Sequence, residues 1–450
     1  MKKVLSFMLS AALGASVFVG SGLNAESESG SNNNFVLFGD SIASGYGLAE
    51  NEYNYGQICA DYYDSDVANY AVSGDTSDDL LKVIAGLDAS QRQTVADSGI
   101  IVISVGGNDI LHYTSKYLIN YAAKKNMLNA GYTSADIPDD PDIGDLKKYV
   151  NFDGKGGLIE YAKSGFIAAS ELAGELKLLA ANLRIGDNEK YEGIIANKTV
   201  PNIQKAVNDI KAINPDAKII VQTIYQPIQI EKSYIDENYG ENASAYNDLI
   251  GQIRSNYRFV MEAFRTELQQ VEGIAVADVL YDFTSVADGV SQNALNPGHA
   301  NYFTDIQKSG DERDLHPNQK GHLAIAAKII NTVGELHDDS GLLSQLYKNL
   351  NDKSKYPSIA LDTYKTAAGK LMKGDVNFDE KVDSRDAALV MKNYVSLSTG
   401  STFLSNLQSD CADVNDDEKY NIEDAYEIMK YYTYVSAGNI CTFEEFQKIK

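Results

Sequence analysis

The sequence predicts an α/β layered domain built on a parallel sheet, followed by a small all-α unit that carries an internal repeat. Three observations predict it. Continuous apolar runs of strand length occur at residues 35–38, 100–105 and 218–224, the first turning at Gly39 and the second at Gly106-Gly107. Helical patterns lie between them, as at residues 200–213 and 245–268. Residues 375–386 recur as residues 413–424. Strands covered on both faces read as unbroken apolar runs, which is the signature of a parallel sheet. Alternation of such strands with helices gives layered α/β folds. Ligands of those folds bind beyond the carboxyl ends of the strands.

The remaining segments follow in order. Lys2 and Lys3 precede an apolar stretch at residues 4–19, and small residues lead to Leu23-Asn24-Ala25. This reads as a secretory signal over residues 1–25, cleaved before Glu26. Residues 26–34 are a polar, flexible lead. The α/β domain is assigned to residues 35–338, with a tyrosine-bearing insertion at about 110–197 that is either a cap over the site or an extra helical layer. Residues 339–372 form a polar connector, and the repeat-bearing unit occupies residues 373–450. No later stretch is apolar enough to span a bilayer.

Composition excludes some function classes. The chain has 450 residues and is 44% apolar, enough for two or three ordinary cores. With 63 acids against 39 bases its net charge is −24, which disfavours nucleic acid and anionic membrane surfaces. Its 3 cysteines cannot make a disulfide scaffold. Cys411 and Cys441 either pair or, with Cys59, act as small buried hydrophobes. No paired-histidine spacing indicates a catalytic zinc, and His112, His299 and His337 are isolated. His322 reads as a capping or packing residue at the start of the last helix of the domain.

Four short blocks carry the chemistry. Phe38-Gly39-Asp40-Ser41 sits directly after a strand, where a sharp turn exposes a serine hydroxyl and its own N–H can help bind an oxyanion. It is not the Gly-x-Ser-x-Gly elbow of the α/β-hydrolases. Asn69 to Thr76 contains Gly74 in a turn, and Gly106-Gly107-Asn108-Asp109 follows the second strand. Glycine permits close backbone approach, and an asparagine amide supplies a donor. Asp314-Leu315-His316-Pro317-Asn318 offers His316 as the general base for Ser41.

Together, in this order, the blocks resemble the SGNH/GDSL hydrolase family over roughly residues 33–337. The resemblance implies a three-layer α/β/α, flavodoxin-like fold and a serine ester hydrolase. It implies Ser41 as nucleophile, His316 as base, and an oxyanion hole from the N–H groups of Ser41 and Gly74 and the side chain of Asn108. The family places an aspartate three residues before the histidine, where this chain has Arg313. Asp314 is the substitute; Asp311, or a Ser-His dyad oriented by a backbone carbonyl, is the alternative.

The repeat places oxygen ligands at loop positions 1, 3, 5, 9 and 12, the spacing of calcium loops. In the first copy these are Asp375, Asn377, Asp379, Asp383 and Asp386, with the backbone carbonyl of Lys381 at position 7. In the second they are Asp413, Asn415, Asp417, Asn421 and Asp424, with Lys419 at position 7. Glu380 and Glu418 stand where such loops usually have glycine. Each loop runs into a helix, at residues 387–394 and 425–432. An aspartate at position 12 and the lack of an entering helix resemble dockerin domains, which bind cohesin modules of a scaffold protein. The resemblance places the cohesin contacts at Ser384-Arg385 and Ile422-Glu423, and their dissimilarity predicts one preferred face.

The two resemblances together imply a secreted, cellulosome-type esterase that removes acetyl groups from plant cell-wall polysaccharide. Calcium belongs to the anchor, and the ester chemistry requires no cofactor. Alternatives are a GDSL lipase or lysophospholipase acting on lipid esters, and a non-catalytic scaffold-associated binding protein.

Overall fold

The computed structural model describes residues 34–50, 52–63, 65–152, 155–164, 166–186, 190–225, 235–237, 243–283, 304, 315–334, 373–377, 381–397, 404, 411–415, 417 and 419–449. The signal segment, the connector and the lead up to residue 33 lie outside them.

Five parallel strands form one sheet in the order β2-β1-β3-β4-β5. They are β1 (Phe35–Gly39), β2 (Val67–Asn69), β3 (Ile100–Ser104), β4 (Lys218–Gln222) and β5 (Ile274–Ala277). The three apolar runs are the three inner strands, each ending one or two residues from its expected bound. The two edge strands escaped the sequence reading. β2 has three residues and is partly exposed throughout, and β5 alternates in alanine, a weak strand former.

Period-two alternation splits the inner strands between two helical layers. Leu37, Val102 and Ile220 join one core with Ile58 of α2 (Tyr55–Tyr62) and Leu323 and Ile329 of α12 (Gln319–Gly334). Phe38, Ile103 and Val221 join the other, with Leu80 of α3 (Ser77–Gly86), Val207 of α9 (Val200–Ile213) and Phe264 of α10 (Ala243–Leu268). Burying each such side chain stabilises the fold by roughly 1.5–3 kcal/mol. Between α9 and β4, buried Asn214 binds the carbonyls of Val95 and Ser98 at 2.9 and 2.7 Å through one amide nitrogen. Its oxygen accepts the N–H of Ala217 at 3.0 Å, so the turn that feeds β4 is fully bonded.

The insertion is helical. It comprises α5 (Gly107–Lys124), α6 (Ile143–Tyr149), α7 (Leu158–Lys163) and α8 (Phe166–Arg184), around a core that includes Ile119, Leu146, Tyr149 and Leu172. Its tyrosines are structural ties: Tyr113 donates to Glu192 at 2.9 Å and Tyr117 to Glu175 at 2.6 Å.

In the terminal unit, α13 (Ser384–Leu397) packs on α14 (Ile422–Ser436), and α15 (Phe443–Gln447) follows. Both repeat helices extend beyond their expected ends. Matching residues of the two repeats are buried, Val376 with Val414 and Ala387 with Ala425. Of the two options for Cys411 and Cys441, pairing is not the one found: neither is in a disulfide, and only Cys411 is buried. Cys59 is also a free, buried thiol.

The tightest constraint is Gly39. Its φ is +147°, and a Cβ there would sit 2.1 Å from the Ser104 carbonyl oxygen. Gly39→Ala should lower stability by about 2–4 kcal/mol in chemical denaturation, through backbone strain and overpacking. Gly86→Ala, where a Cβ meets nothing within 4 Å, should be neutral or stabilising.

Candidate active site

The first block turns directly out of β1. Asp40 donates its N–H to Ser104 O at 3.0 Å, so the turn starts from the neighbouring strand end. Its carboxylate caps α1 (Ser41–Ser44) by accepting the N–H of Ile42 at 3.0 Å. Ser41 is the first residue of that single turn. Its carbonyl is held by the hydroxyl of Ser44 at 3.0 Å and by the N–H of Tyr46 at 3.0 Å.

His316 approaches from the far end of the domain. Its Nε2 lies 2.8 Å from Ser41 Oγ, a contact spanning 275 positions of sequence. A neutral imidazole that accepts from a hydroxyl at Nε2 carries its proton on Nδ1. The loop around it is anchored on both sides. The Tyr225 hydroxyl donates to Leu315 O at 2.9 Å, and Thr304 bridges Pro317. Asn318 caps α12 by accepting the N–H of Gly321 at 3.0 Å. The Gln319 amide accepts from Tyr53 N at 2.8 Å and donates to Tyr53 O at 2.9 Å. The ring of Tyr46 lies 4.6 Å from the imidazole, centroid to centroid, tilted by 51°. Asp314, Asp311 and Arg313 lie outside the described residues.

The second and third blocks meet at the adjacent strand ends. Gly74 has φ +92° and open space where a Cβ would be. Asn108, in the first turn of α5, donates one amide hydrogen to Asp75 O at 2.9 Å. An amide has two donors, so this bond orients the group and leaves a second N–H for an oxyanion. Ser73, next to Gly74, pairs its hydroxyl with that of Ser44 at 3.0 Å. Beneath, buried Asp109 accepts the N–H and the hydroxyl of Ser77 at 2.8 and 2.6 Å. Asn202 donates to Ser77 Oγ at 3.0 Å and to Asp78 at 2.8 Å. These bonds lock the Gly74 turn to the Asn108 helix.

Electrostatics divide the histidines. His322 is fully buried and its Nδ1 accepts the N–H of Tyr55 at 3.2 Å. Burial pushes it down to about 3, so it is a neutral packing group stacked on Tyr55, as its position at the helix start implied. His112, isolated in sequence, has Asp140 3.3 Å away. Asp40 is pushed up to about 7, chiefly by burial, and Asp75 to about 6 for the same reason. Sequence reasoning named Ser41, Gly74, Asn108 and His316; it passed over Asp40, Tyr46, Ser77, Asp109 and Asn202. Only the block spacing hinted at Asp40 and Asp109, which flank named residues.

The family model for GDSL-like lipase/acylhydrolase matches residues 37–324. The chain belongs to that family. Its hydrolase domain has the SGNH fold and is an ester hydrolase. The dockerin type I model matches residues 373–432, so the hydrolase carries a dockerin. No curated protein matches the chain. Among solved structures, an extracellular lipase from Streptomyces rimosus is 14% identical, covering 64% of this chain and 94% of its own, with a TM-score of 0.37. A phospholipase A1 from Streptomyces albidoflavus NA297 is 11% identical, covering 67% of this chain and 100% of its own, with a TM-score of 0.39. A carbohydrate esterase family 2 enzyme from Corynascus thermopiles is 13% identical, covering 69% of this chain and 68% of its own, with a TM-score of 0.27. Likeness at this level does not discriminate among substrates.

In the dockerin loops the position-12 carboxylates are buried. Asp386 accepts the N–H groups of Val376, Asn377 and Asp383 at 2.9, 3.1 and 2.8 Å. Asp424 accepts those of Val414 and Asn421 at 3.0 and 2.8 Å. Burial, with Asp375 and Asp383 nearby, pushes Asp386 up to about 7; burial, with Asp413 nearby, pushes Asp424 up to about 6. Crowded, buried oxygen donors of this kind suit a hard cation, and dockerin type I domains bind calcium. Among the described residues no three His, Cys, Asp or Glu side chains converge as a ready metal cage. Asp379 lies outside them, as do Glu380 and Glu418, while the described candidate ligands are Asp375, Asp383, Asp386, Asp413, Asp417 and Asp424, with Asn377, Asn415, Asn421 and the Lys381 and Lys419 carbonyls. The donor chemistry of both loops fits the ion.

Proposed function

We propose that Ser41 is the nucleophile of an acyl-enzyme mechanism directed at acetyl esters of plant cell-wall polysaccharide. The observation that carries it is the 2.8 Å approach of His316 Nε2 to Ser41 Oγ at the carboxyl edge of the sheet. His316 takes the Ser41 proton as Oγ attacks the ester carbonyl carbon. The N–H groups of Ser41 and Gly74 and the side chain of Asn108 receive the negative charge that forms on the carbonyl oxygen. The imidazolium then protonates the departing sugar oxygen. Water, deprotonated by His316, releases acetate and regenerates Ser41. Asp314 orients the imidazole through Nδ1–H in this scheme.

The substrate class follows from the dockerin, since such anchors hold enzymes on extracellular scaffolds that act on plant walls. Export of the chain by residues 1–25 belongs to the same proposal. Among the described residues, no helix is long and apolar enough to cross a membrane. Asp375, Asn377, Asp379, Asp383 and Asp386, with the Lys381 carbonyl, would hold one calcium ion. Asp413, Asn415, Asp417, Asn421 and Asp424, with the Lys419 carbonyl, would hold the second. Calcium, when bound, would supply the charge that offsets the repulsion among those buried carboxylates.

The cohesin face is assigned to the second repeat. Ile422, Tyr426 and Met429 stand on one side of α14 at helical spacing and are 54%, 63% and 38% exposed. The equivalent residues of the first repeat are Ser384, Ala388 and Met391, and beside them Arg385, the counterpart of Glu423, is turned onto Asp383, 2.7 Å away. Ser384 and Glu423 complete the two pairs.

Three outcomes are expected. The protein should hydrolyse p-nitrophenyl acetate and deacetylate xylan or pectin, and Ser41→Ala should abolish both. Asp314→Asn should lower kcat by up to ~10⁴, whereas a loss of a few-fold indicates a dyad. Faster turnover of long-chain acyl esters than of acetylated polysaccharide would move the assignment to a lipase. In cohesin titrations, Ile422→Asp should weaken capture at least about tenfold more than Arg385→Asp, and chelation of calcium should abolish it. Equal losses from both variants would overturn the single-face assignment.

A further inference from the structure

Tyr46 is fixed more tightly than a residue at the rim of a site needs to be. The single turn of α1 ends at Gly45, whose φ is +82° and where a Cβ would lie 3.0 Å from the Cβ of Asn54. Gly47, on the other side of Tyr46, has φ +86°. Both values lie in the left-handed region that glycine adopts without strain. Between them Tyr46 donates its N–H to the Ser41 carbonyl at 3.0 Å. Asn54 caps α2 by accepting the N–H of Gln57 at 3.0 Å, and Tyr53 before it is bonded to Gln319 of the His316 loop. The corner that carries Tyr46 is thus clamped by the nucleophile turn on one side and by the cap of α2 on the other.

The ring on this corner lies against the base. Its centroid is 4.6 Å from that of the His316 imidazole, at an interplanar angle of 51°. Tyr46 is half-buried and joins none of the three apolar cores, so its ring is not placed there to fill the interior. The imidazole has use for such a neighbour. Rotation about the Cβ–Cγ bond of histidine is broad, with no sharp staggered minimum. That rotation turns the Nε2 lone pair off the Ser41 hydroxyl, 2.8 Å away. Three residues before the histidine, where the family has an aspartate, stands Arg313. An aromatic neighbour narrows the rotation by contact, and ring pairs at centroid separations of about 4.5–7 Å attract one another. Once the proton has moved, the imidazolium is a cation within about 6 Å of a π-system, which draws it further. The contact therefore strengthens as the proton leaves Ser41, which is the condition for lowering the barrier.

We infer that Tyr46 is a positioning residue for the base: its ring holds the His316 imidazole toward Ser41 and stabilises the imidazolium formed during acyl transfer. The inference rests on the Ser41–His316 reading. The path of the proton is unchanged, from Ser41 Oγ to His316 Nε2 and on to the leaving oxygen.

The test combines kinetics on p-nitrophenyl acetate with the rate of covalent labelling by a serine-reactive phosphonate ester, followed by intact mass. Tyr46→Ala should lower kcat to between about 1/5 and 1/30 of wild type, with KM changed less than about twofold, and should slow labelling by a similar factor. Tyr46→Phe keeps the ring and should stay within about twofold of wild type in both measurements. Tyr46→Leu keeps apolar bulk without π-electrons; it should lose at least about threefold, and it covers the case in which the alanine variant folds poorly. A double-mutant cycle decides whether the effect runs through the base. In a His316→Ala background, Tyr46→Ala should leave the residual labelling rate within about twofold, because the group it acts on is gone. An equal loss in that background, a loss shared by Tyr46→Phe, an effect confined to KM, or full activity of Tyr46→Ala would overturn the inference. Ser41→Ala run in parallel separates the two levels: if it retains turnover, the nucleophile assignment fails, whatever Tyr46 does.

Discussion

The site depends on how closely β1 lies against β3. Gly39 pairs with Ser104 at the carboxyl ends of these strands, and no side chain fits between them. That register brings Asp40 N within 3.0 Å of Ser104 O, so the serine turn leaves the sheet beside the segment that leads to Asn108. A slip of one residue would turn every β1 side chain to the other layer and carry Ser41 away from its partners. The Ser41 turn, the Gly74 loop and the Asn108 helix are then tied together by short polar bonds. His316 is the one member brought from a distant part of the chain, and its loop is correspondingly heavily anchored.

This arrangement separates stability from chemistry. The two apolar layers fold the sheet, while the buried polar groups above its carboxyl edge work against folding and in favour of function. Asp40 and Asp75 are both held above the ordinary carboxylate range by burial. Groups kept in an unfavourable state by a rigid frame are characteristic of active sites. His322 makes the contrast: it is as buried as any group in the domain, yet it serves packing, with its ring stacked on Tyr55.

Much of this was legible in the sequence, for physical reasons. Inner strands covered on both faces are apolar throughout, so β1, β3 and β4 announce themselves. The edge strands Val67–Asn69 and Ile274–Ala277 do not, because partial exposure removes the pattern. Ser41, Gly74, Asn108 and His316 are visible as residue types at turns. Asp40, Ser77 and Asp109 are not, because their roles come from burial and from partners far along the chain. The repeat at residues 375–386 and 413–424 was visible as self-similarity, whereas the exposed Ile422-Tyr426-Met429 stripe needed the helix to be seen against its neighbour. A sequence can suggest a Cys411–Cys441 bond, but only the fold shows that neither thiol is in a disulfide.

The most direct measurement is covalent labelling of the intact protein with a serine-reactive phosphonate ester, followed by peptide mass spectrometry. The account predicts a single adduct on the peptide that contains Ser41, formed in step with loss of esterase activity and greatly slowed in His316→Ala. An adduct on another residue, or full activity with Ser41 modified, would contradict it.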